Sequence, residues 1–317
     1  MNIREPFNTV VLSIAAVERD TGIGKDTLRV WERRYGFPTP SRDANGERVY
    51  PMAQVEKLRV IKRLMDQGHR PGRIVAQSVE ELQHLSQAQI ATPQPLRQSA
   101  TGAHGDLRQY IELLKAHDND GLRRQLSQAL AREGLKHFVT ELVAPLTMAV
   151  GDAWMRGELE VFEEHAFTEC VTGLMRQSIS AITEHAADGA TPCVLLTTFP
   201  QEAHGLGLLM AESMLALDGC RCISLGTQTP LRDIAHAAVA HSVDVVALSF
   251  SMSMNANHVM DGLAELRQLV PASVEVWAGG QSAALQRREQ THAVVLRDLV
   301  SIGNEIKRWR KQHASKS

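Results

Sequence analysis

From Thr191 onward the sequence alternates short apolar runs with amphipathic stretches of helical length. The runs cover residues 193–199, 222–225, 244–250, 274–278 and 293–296. Between them lie helical stretches at 206–217, 231–240 and 258–270, and a last helix follows Leu296. Strands and helices in regular alternation form βαβ units, which build a parallel sheet wrapped on both faces. Residues 190–317 are therefore expected to form a doubly wound, five-stranded parallel, Rossmann-like domain.

Upstream, the apolar spacing is helical. Leu107, Tyr110, Ile111, Leu113 and Leu114 recur at the interval that lines one helix face, as do Leu122, Leu126 and Leu130. Two longer striped segments, 137–150 and 161–186, are interrupted by Gly151 and Gly157. Helices joined by short connections make residues 106–188 a four-helix bundle. Residues 81–105 carry Pro93, Pro95, Gly102 and Gly105 among Gln, Ser, Thr and Ala, the composition of a linker. Residues 1–80 form the remaining domain of a multidomain α and α/β chain.

The formal charge of −2 is unevenly divided. Residues 1–75 hold 14 Lys and Arg against 9 Asp and Glu, whereas the rest hold 20 against 27. A basic head on an acidic body points to nucleic acid at the N-terminus. Here Ser13 can cap a helix over 14–19, Thr21-Gly22 turns the chain, and a second helix opens at Lys25-Asp26-Thr27 and stops at Gly36 and Pro38. Such a pair is a helix-turn-helix, whose second helix enters the major groove. Leu28 and Trp31 are expected to pack inward, leaving Arg29 and Arg33 for phosphates and base edges. A hairpin centred on Gly46, with Arg42 and Arg48 on either side, reads as a wing gripping the DNA backbone.

The stretch Thr27-Leu28-Arg29-x-Trp31-Glu32-Arg33-Arg34-Tyr35-Gly36, then Pro40-x-Arg42 and Gly46-x-Arg48-x-Tyr50, resembles the MerR-type winged helix-turn-helix. The resemblance implies that Thr27, Arg29, Arg33, Tyr35, Arg42 and Arg48 meet double-stranded operator DNA. This chain has Glu47 where family members often carry Tyr or His. Phosphates repel a carboxylate, so Glu47 is expected to point away or to alter the wing contact.

The loop after the first strand of the sheet reads Pro200-Gln201-Glu202-Ala203-His204-Gly205-Leu206-Gly207. Ligands of open parallel sheets sit at the carboxyl ends of strands. A metal-bound imidazole usually donates its other N–H to a carboxylate, and Glu202 is placed to accept it. Gly205 and Gly207 let a bulky group approach the backbone. Between Gly207 and Ser249 lie 41 residues, and 27 more separate Ser251 from Gly279-Gly280. This resembles the cobalamin-binding signature Asp-x-His-x-x-Gly, Ser-x-Leu and Gly-Gly, with Glu202 in place of Asp and Ser251 in place of Leu. The resemblance implies that His204 is the lower axial cobalt ligand and Glu202 its orienter. It also implies that Ser249, Ser251, Gly279 and Gly280 line the cavity of the nucleotide tail.

Trp154 is followed, after nine residues, by Glu164-His165. With the other two motifs in the same order, this resembles the CarH/LitR-type adenosylcobalamin-dependent photoreceptor repressors over nearly the whole chain. In that family the Trp and the Glu-His pair cover the upper face of the cofactor. Met155 stands where light-sensing members place a His that becomes the second axial ligand after photolysis. A thioether is a weaker ligand for Co(III) than imidazole. Three outcomes are open: no locked light state, another His such as His165 as substitute, or ligation by the thioether.

The resemblance implies a cytoplasmic, cobalamin-dependent and light-responsive repressor that is not an enzyme. Adenosylcobalamin is the expected cofactor, with methylcobalamin as the alternative, and a palindromic operator calls for a homo-oligomer, dimer or tetramer. Four sparse cysteines suit a reducing compartment. No apolar run approaches the ~18 residues that span a bilayer, and from the polar N-terminal segment no signal peptide is expected. Aromatic residues, at 4%, are too few for a single-strand stacking platform. Two other readings stand beside this one. A carrier subunit of a mutase or methyltransferase needs a barrel of about 250 residues, which must come from a partner chain. A cofactor-free regulator with a degenerate corrinoid domain is the third.

Overall fold

The computed structural model describes residues 11–43, 46–66, 69–79, 81–82, 85, 107–183, 191–252, 254–286 and 292–314. The expected linker, 81–105, lies almost wholly outside the described residues. The chain divides into two compact units, 1–97 and 98–317.

In the first unit, β1 (Val11–Ser13) leads into α1 (Ile14–Thr21) and α2 (Lys25–Tyr35), followed by β2 (Ser41–Arg42), β3 (Arg48–Pro51), α3 (Met52–Asp66) and α4 (Pro71–Ile74). The Ser13 hydroxyl caps α1 by accepting the Ala16 N–H at 3.3 Å. Gly22 and Gly36 end the two helices in the left-handed region at φ 69°. Leu28 and Trp31 are buried with Val17, Tyr50, Leu58 and Ile61, as their spacing predicts. Strand β1 adds to the expected hairpin, pairing antiparallel with β3 in a sheet of order β1-β3-β2. The β-branched pair Val10-Val11 was the signal for it.

The second unit opens with α5 (Arg108–Lys115), α6 (Asn119–His137), a π-helical turn (Phe138–Val143), α7 (Ala144–Met155) and α8 (Val161–Thr183). Sequence spacing places a break at Gly151, yet α7 runs through it to Met155. Val150 and Ala153 are buried on either side, and packing outweighs the ~1 kcal/mol that glycine costs in a helix. The irregularity falls earlier. Gly134 adopts φ 75°, ψ 159°, and the wide turn precedes Pro145, which has no N–H for the carbonyl four residues back.

The sheet follows: β4 (Cys193–Thr197), β5 (Arg221–Gly226), β6 (Val245–Phe250), β7 (Glu275–Gly280) and β8 (Val294–Leu296). All pairs are parallel, in the order β5-β4-β6-β7-β8. The expected first strand, 193–199, is two residues too long. Thr198 leaves the ladder, its hydroxyl accepting the Gln228 N–H at 2.9 Å and donating to the Glu202 carbonyl at 2.6 Å.

Alternation along the strands separates two cores. Val194, Leu196, Ala247 and Trp277 face α9 (Leu206–Leu217), α12 (Ser301–His313) and the helical bundle. Leu195, Val246, Leu248 and Val276 face α10 (Leu231–Ala240) and α11 (Ala256–Leu269). Bundle and sheet thus share one core, and Arg176 of α8 donates to the buried Glu212 of α9 at 2.6 Å. On the other face Gly262 of α11 meets the ring of Phe199, which packs edge-on against Phe250 at 5.0 Å. A Cβ on Gly262 would lie 2.5 Å from that ring. The Gly262→Ala variant is expected to lose about 2 kcal/mol of stability through overpacking, read as a lower urea midpoint. An unchanged midpoint would mean that Phe199 is free to move.

Candidate functional site

In chain order the strands of the sheet run 2-1-3-4-5, so the connections leaving β4 and β6 part in opposite directions and open a crevice at their carboxyl ends. The segment carrying Glu202 and His204 leaves β4 there, and Ser251 directly follows β6. Glu202, 1% exposed, joins the two. Its Oε1 accepts the His204 backbone N–H at 3.0 Å and lies 2.6 Å from His204 Nδ1. Its Oε2 accepts both the N–H and the hydroxyl of Ser251, each at 2.7 Å. Burial pushes the Glu202 carboxyl up, but the bonds from His204 and Ser251 outweigh it and hold the pKa below its ordinary value. A carboxylate on Nδ1 selects the Nδ1–H tautomer, so Nε2 is the nitrogen of this two-thirds exposed ring with a lone pair able to coordinate a metal.

At the same edge Ser249 pairs with Gly279, and Phe250 with Gly280. Gly207 lies in the first turn of α9, where a Cβ would stand 2.7 Å from Ser249 Oγ. Gly280 has φ 111°, and a Cβ there would lie 2.2 Å from the Phe250 carbonyl, so no side chain fits. Gly205 precedes α9 beside Thr227, 3.3 Å from where its Cβ would be. These residues fit a cobalamin: an imidazole backed by a buried carboxylate, beside a sheet edge of glycine and hydroxyl. Ser251, expected at the nucleotide tail, donates to Glu202 from the end of β6.

Trp154 and Met155 end α7, and Glu164 and His165 lie near the start of α8, across the turn at 156–160. Trp154 is partly buried against the bundle core. Glu164 Oε2 lies 2.7 Å from His165 Nδ1, and Oε1 accepts the Thr168 hydroxyl at 2.8 Å. The four cysteines are free thiols whose pKa values burial raises, that of Cys220 to about 12. Among the described residues no cluster of His, Cys, Asp and Glu is arranged as a multidentate metal site.

In the first unit Thr27, Arg29 and Arg33 are exposed on α2, and Tyr35 is half-buried against the core. Arg29 pairs with Asp26 at 3.0 Å. On the wing, Arg42 donates to the Gly46 carbonyl at 2.5 Å, Glu47 is exposed, and the half-buried Arg48 donates through Nε to Glu32 of α2 at 3.0 Å. The Glu32–Arg48 pair and the Glu202–Ser251 contact are features that residue spacing alone did not reveal.

The MerR HTH family of regulatory proteins matches residues 12–76, and two B12 binding domain families match residues 106–177 and 192–303. The chain is 33% identical over 274 residues to the HTH-type transcriptional repressor CarH of Myxococcus xanthus, covering 83% of this chain and 86% of that one. It belongs to the CarH family of MerR-type regulators. The HTH-type transcriptional repressor CarA of the same organism is 30% identical over 305 residues, covering 94% of this chain and 98% of that one. The Methanosarcina barkeri monomethylamine corrinoid protein shares the fold at TM-score 0.51 and 15% identity, covering 62% of this chain and 94% of its own. As a CarH-family chain with two B12 binding domains, the protein is a cobalamin-dependent transcription regulator. No helix among the described residues is long and apolar enough to cross a membrane.

Because the folded pKa of Glu202 lies below its ordinary 4.5, its ionised form contributes stability above pH 4.5. That contribution is lost as pH falls through the folded value. The Glu202→Gln variant is expected to be about 2 kcal/mol less stable than wild type at pH 7. In urea titrations the gap should narrow as the pH drops below 4.5. An equal gap at pH 7 and pH 4 would contradict this.

Proposed function

We propose that the protein represses transcription from operator DNA under the control of adenosylcobalamin held at His204, with light as the signal that removes the upper ligand. The observation that carries this reading is the His204–Glu202 pair at the crevice of the sheet, in a chain whose relatives are named as transcriptional repressors. His204 would hold cobalt through Nε2 while Glu202 keeps the ring oriented. Gly207, Ser249, Gly279 and Gly280 would take the nucleotide tail, and Gly205 would leave room for it to pass.

Trp154 offers a rigid apolar wall for the upper face, and Glu164 can accept hydrogen bonds from ribose hydroxyls. When bound, adenosylcobalamin supplies a cobalt–carbon bond that light cleaves. Met155 stands at the position where the light-sensing relatives of the resemblance place a His. Glu164 holds Nδ1 of His165 as Glu202 holds Nδ1 of His204, so His165 would be the substitute imidazole for cobalt. On the DNA side Thr27, Arg29, Arg33, Tyr35, Arg42 and Arg48 form the operator surface of a homo-oligomer, since two half-sites need two recognition helices. The domains that carry these roles are residues 1–80, 106–188 and 190–317, joined by a linker at 81–105.

Gel shifts and absorbance spectra of the purified chain test this reading, with adenosylcobalamin or methylcobalamin, in the dark and after illumination. The expected result is a tight operator complex with adenosylcobalamin in the dark, released by light, and no corrinoid retained by His204→Ala. A wild-type protein whose spectrum and DNA binding are unmoved by either corrinoid would overturn it.

Two variants report on the separate halves. Illuminated protein is expected to show a bis-imidazole spectrum that disappears in His165→Ala, and persistence of that spectrum would remove His165 from the role. Arg33→Ala should weaken DNA binding almost uniformly across sequences and lower the salt slope by about one. A loss confined to particular operator bases would make Arg33 a base reader instead.

A further inference from the structure

The Glu202 carboxylate accepts donors from the segments that follow two different strands, and one donor residue is a departure from the cobalamin signature, as Glu202 itself is. We propose that Ser251 is a positioning residue for His204, acting through Glu202 as half of a matched pair, and not a contact of the nucleotide tail. This rests on the reading of His204 as the cobalt ligand.

The pairing follows from reach. Glu202 N–H donates to the Phe199 carbonyl at 2.9 Å and its own carbonyl accepts the Thr198 hydroxyl, so the side chain starts from a fixed point. From there Oε1 meets His204, while Oε2 meets the N–H and hydroxyl of a residue 49 positions away at the end of β6. An aspartate is one methylene, about 1.5 Å, shorter and cannot serve both partners from the same backbone position. A leucine at 251 would keep the N–H but replace the hydroxyl with an apolar group against a buried carboxylate, leaving part of its demand unmet. Either departure alone is costly, and together they close the network. The result clamps the ligand-bearing loop of β4 to the neighbouring strand. Ser249, against Gly207 and paired with Gly279, remains the hydroxyl of the tail slot.

A cycle of full-length variants decides the matter: Ser251→Ala, Glu202→Asp, the double variant, and Ser251→Thr as the conservative control. Adenosylcobalamin affinity is titrated in the dark, and the bound cofactor, photolysed without oxygen so that homolysis of the Co–C bond leaves Co(II), is examined by EPR of protein labelled with 15N-histidine, where an axial imidazole nitrogen splits the cobalt lines into doublets. Ser251→Ala is expected to bind about 10-fold more weakly, with a smaller imidazole-split fraction, as loss of a ligand's supporting partner commonly costs. Ser251→Thr should restore both. In the Glu202→Asp background the same Ser251→Ala change should cost less than about 2-fold, because the pair is already broken. Equal losses in the two backgrounds, or an unchanged imidazole signal in Ser251→Ala, would overturn the proposal. Urea denaturation of the four cofactor-free proteins runs the same cycle without corrinoid. If wild type binds no corrinoid, the reading of His204 fails. Additive midpoints in that cycle would instead show that the Glu202–Ser251 pair itself does not exist.

Discussion

A carboxylate taken out of water must recover its solvation from fixed donors, or it does not stay ionised. Glu202 does so with donors from the segments after two strands, so satisfying one side chain fixes the relative placement of two loops. The loop of β4 cannot shift without stripping Oε2, and Ser251 cannot shift without freeing Glu202. Behind both stands a packed wall: Phe199, the residue before Pro200, lies between Phe250 and Gly262. An imidazole two-thirds exposed to solvent thereby gains a defined orientation from groups that are themselves buried.

The sheet edge beside it obeys a steric constraint. Gly207 approaches Ser249 so closely that a methyl group would touch its hydroxyl, and Gly280 adopts a conformation in which a Cβ would overlap the Phe250 carbonyl. The glycines therefore serve the packing of this chain against itself, quite apart from any room they leave for a ligand. This explains why Gly207 opens α9 beside Ser249 and why Gly280 ends β7 against Phe250, where the ladder is still intact.

The parallel sheet was legible because each strand, covered on both faces, reads as a nearly continuous apolar run between helical stretches. Its ends were less so. Thr198 and Phe199 suit a strand by composition, and the hydroxyl bonds of Thr198 together with the turn closed by Glu202 N–H on the Phe199 carbonyl take them out of it. In the bundle, Gly151 looked like a breaker but was absorbed by packing, while Gly134 and Pro145 shaped the chain. The His204 and Glu202 pairing was readable because the partners are two residues apart. Ser251 was assigned by its place in a signature, and its actual partner is 49 positions away, a distance at which spacing carries no information.

Three of the residue pairs discussed use one device at different depths. Glu32 fixes Arg48, Glu164 fixes His165 and Glu202 fixes His204, each through one nitrogen of the side chain. What differs is burial. Glu32 and Glu164 keep about a third of their side-chain surface in water, whereas Glu202 keeps 1%. Exposed pairs are screened by solvent, so Arg48 and His165 are held less firmly than His204. A buried carboxylate has no water to fall back on, so breaking its bonds costs the full desolvation of the charge. The screened pairs are therefore the adjustable ones, and the buried pair is the rigid one.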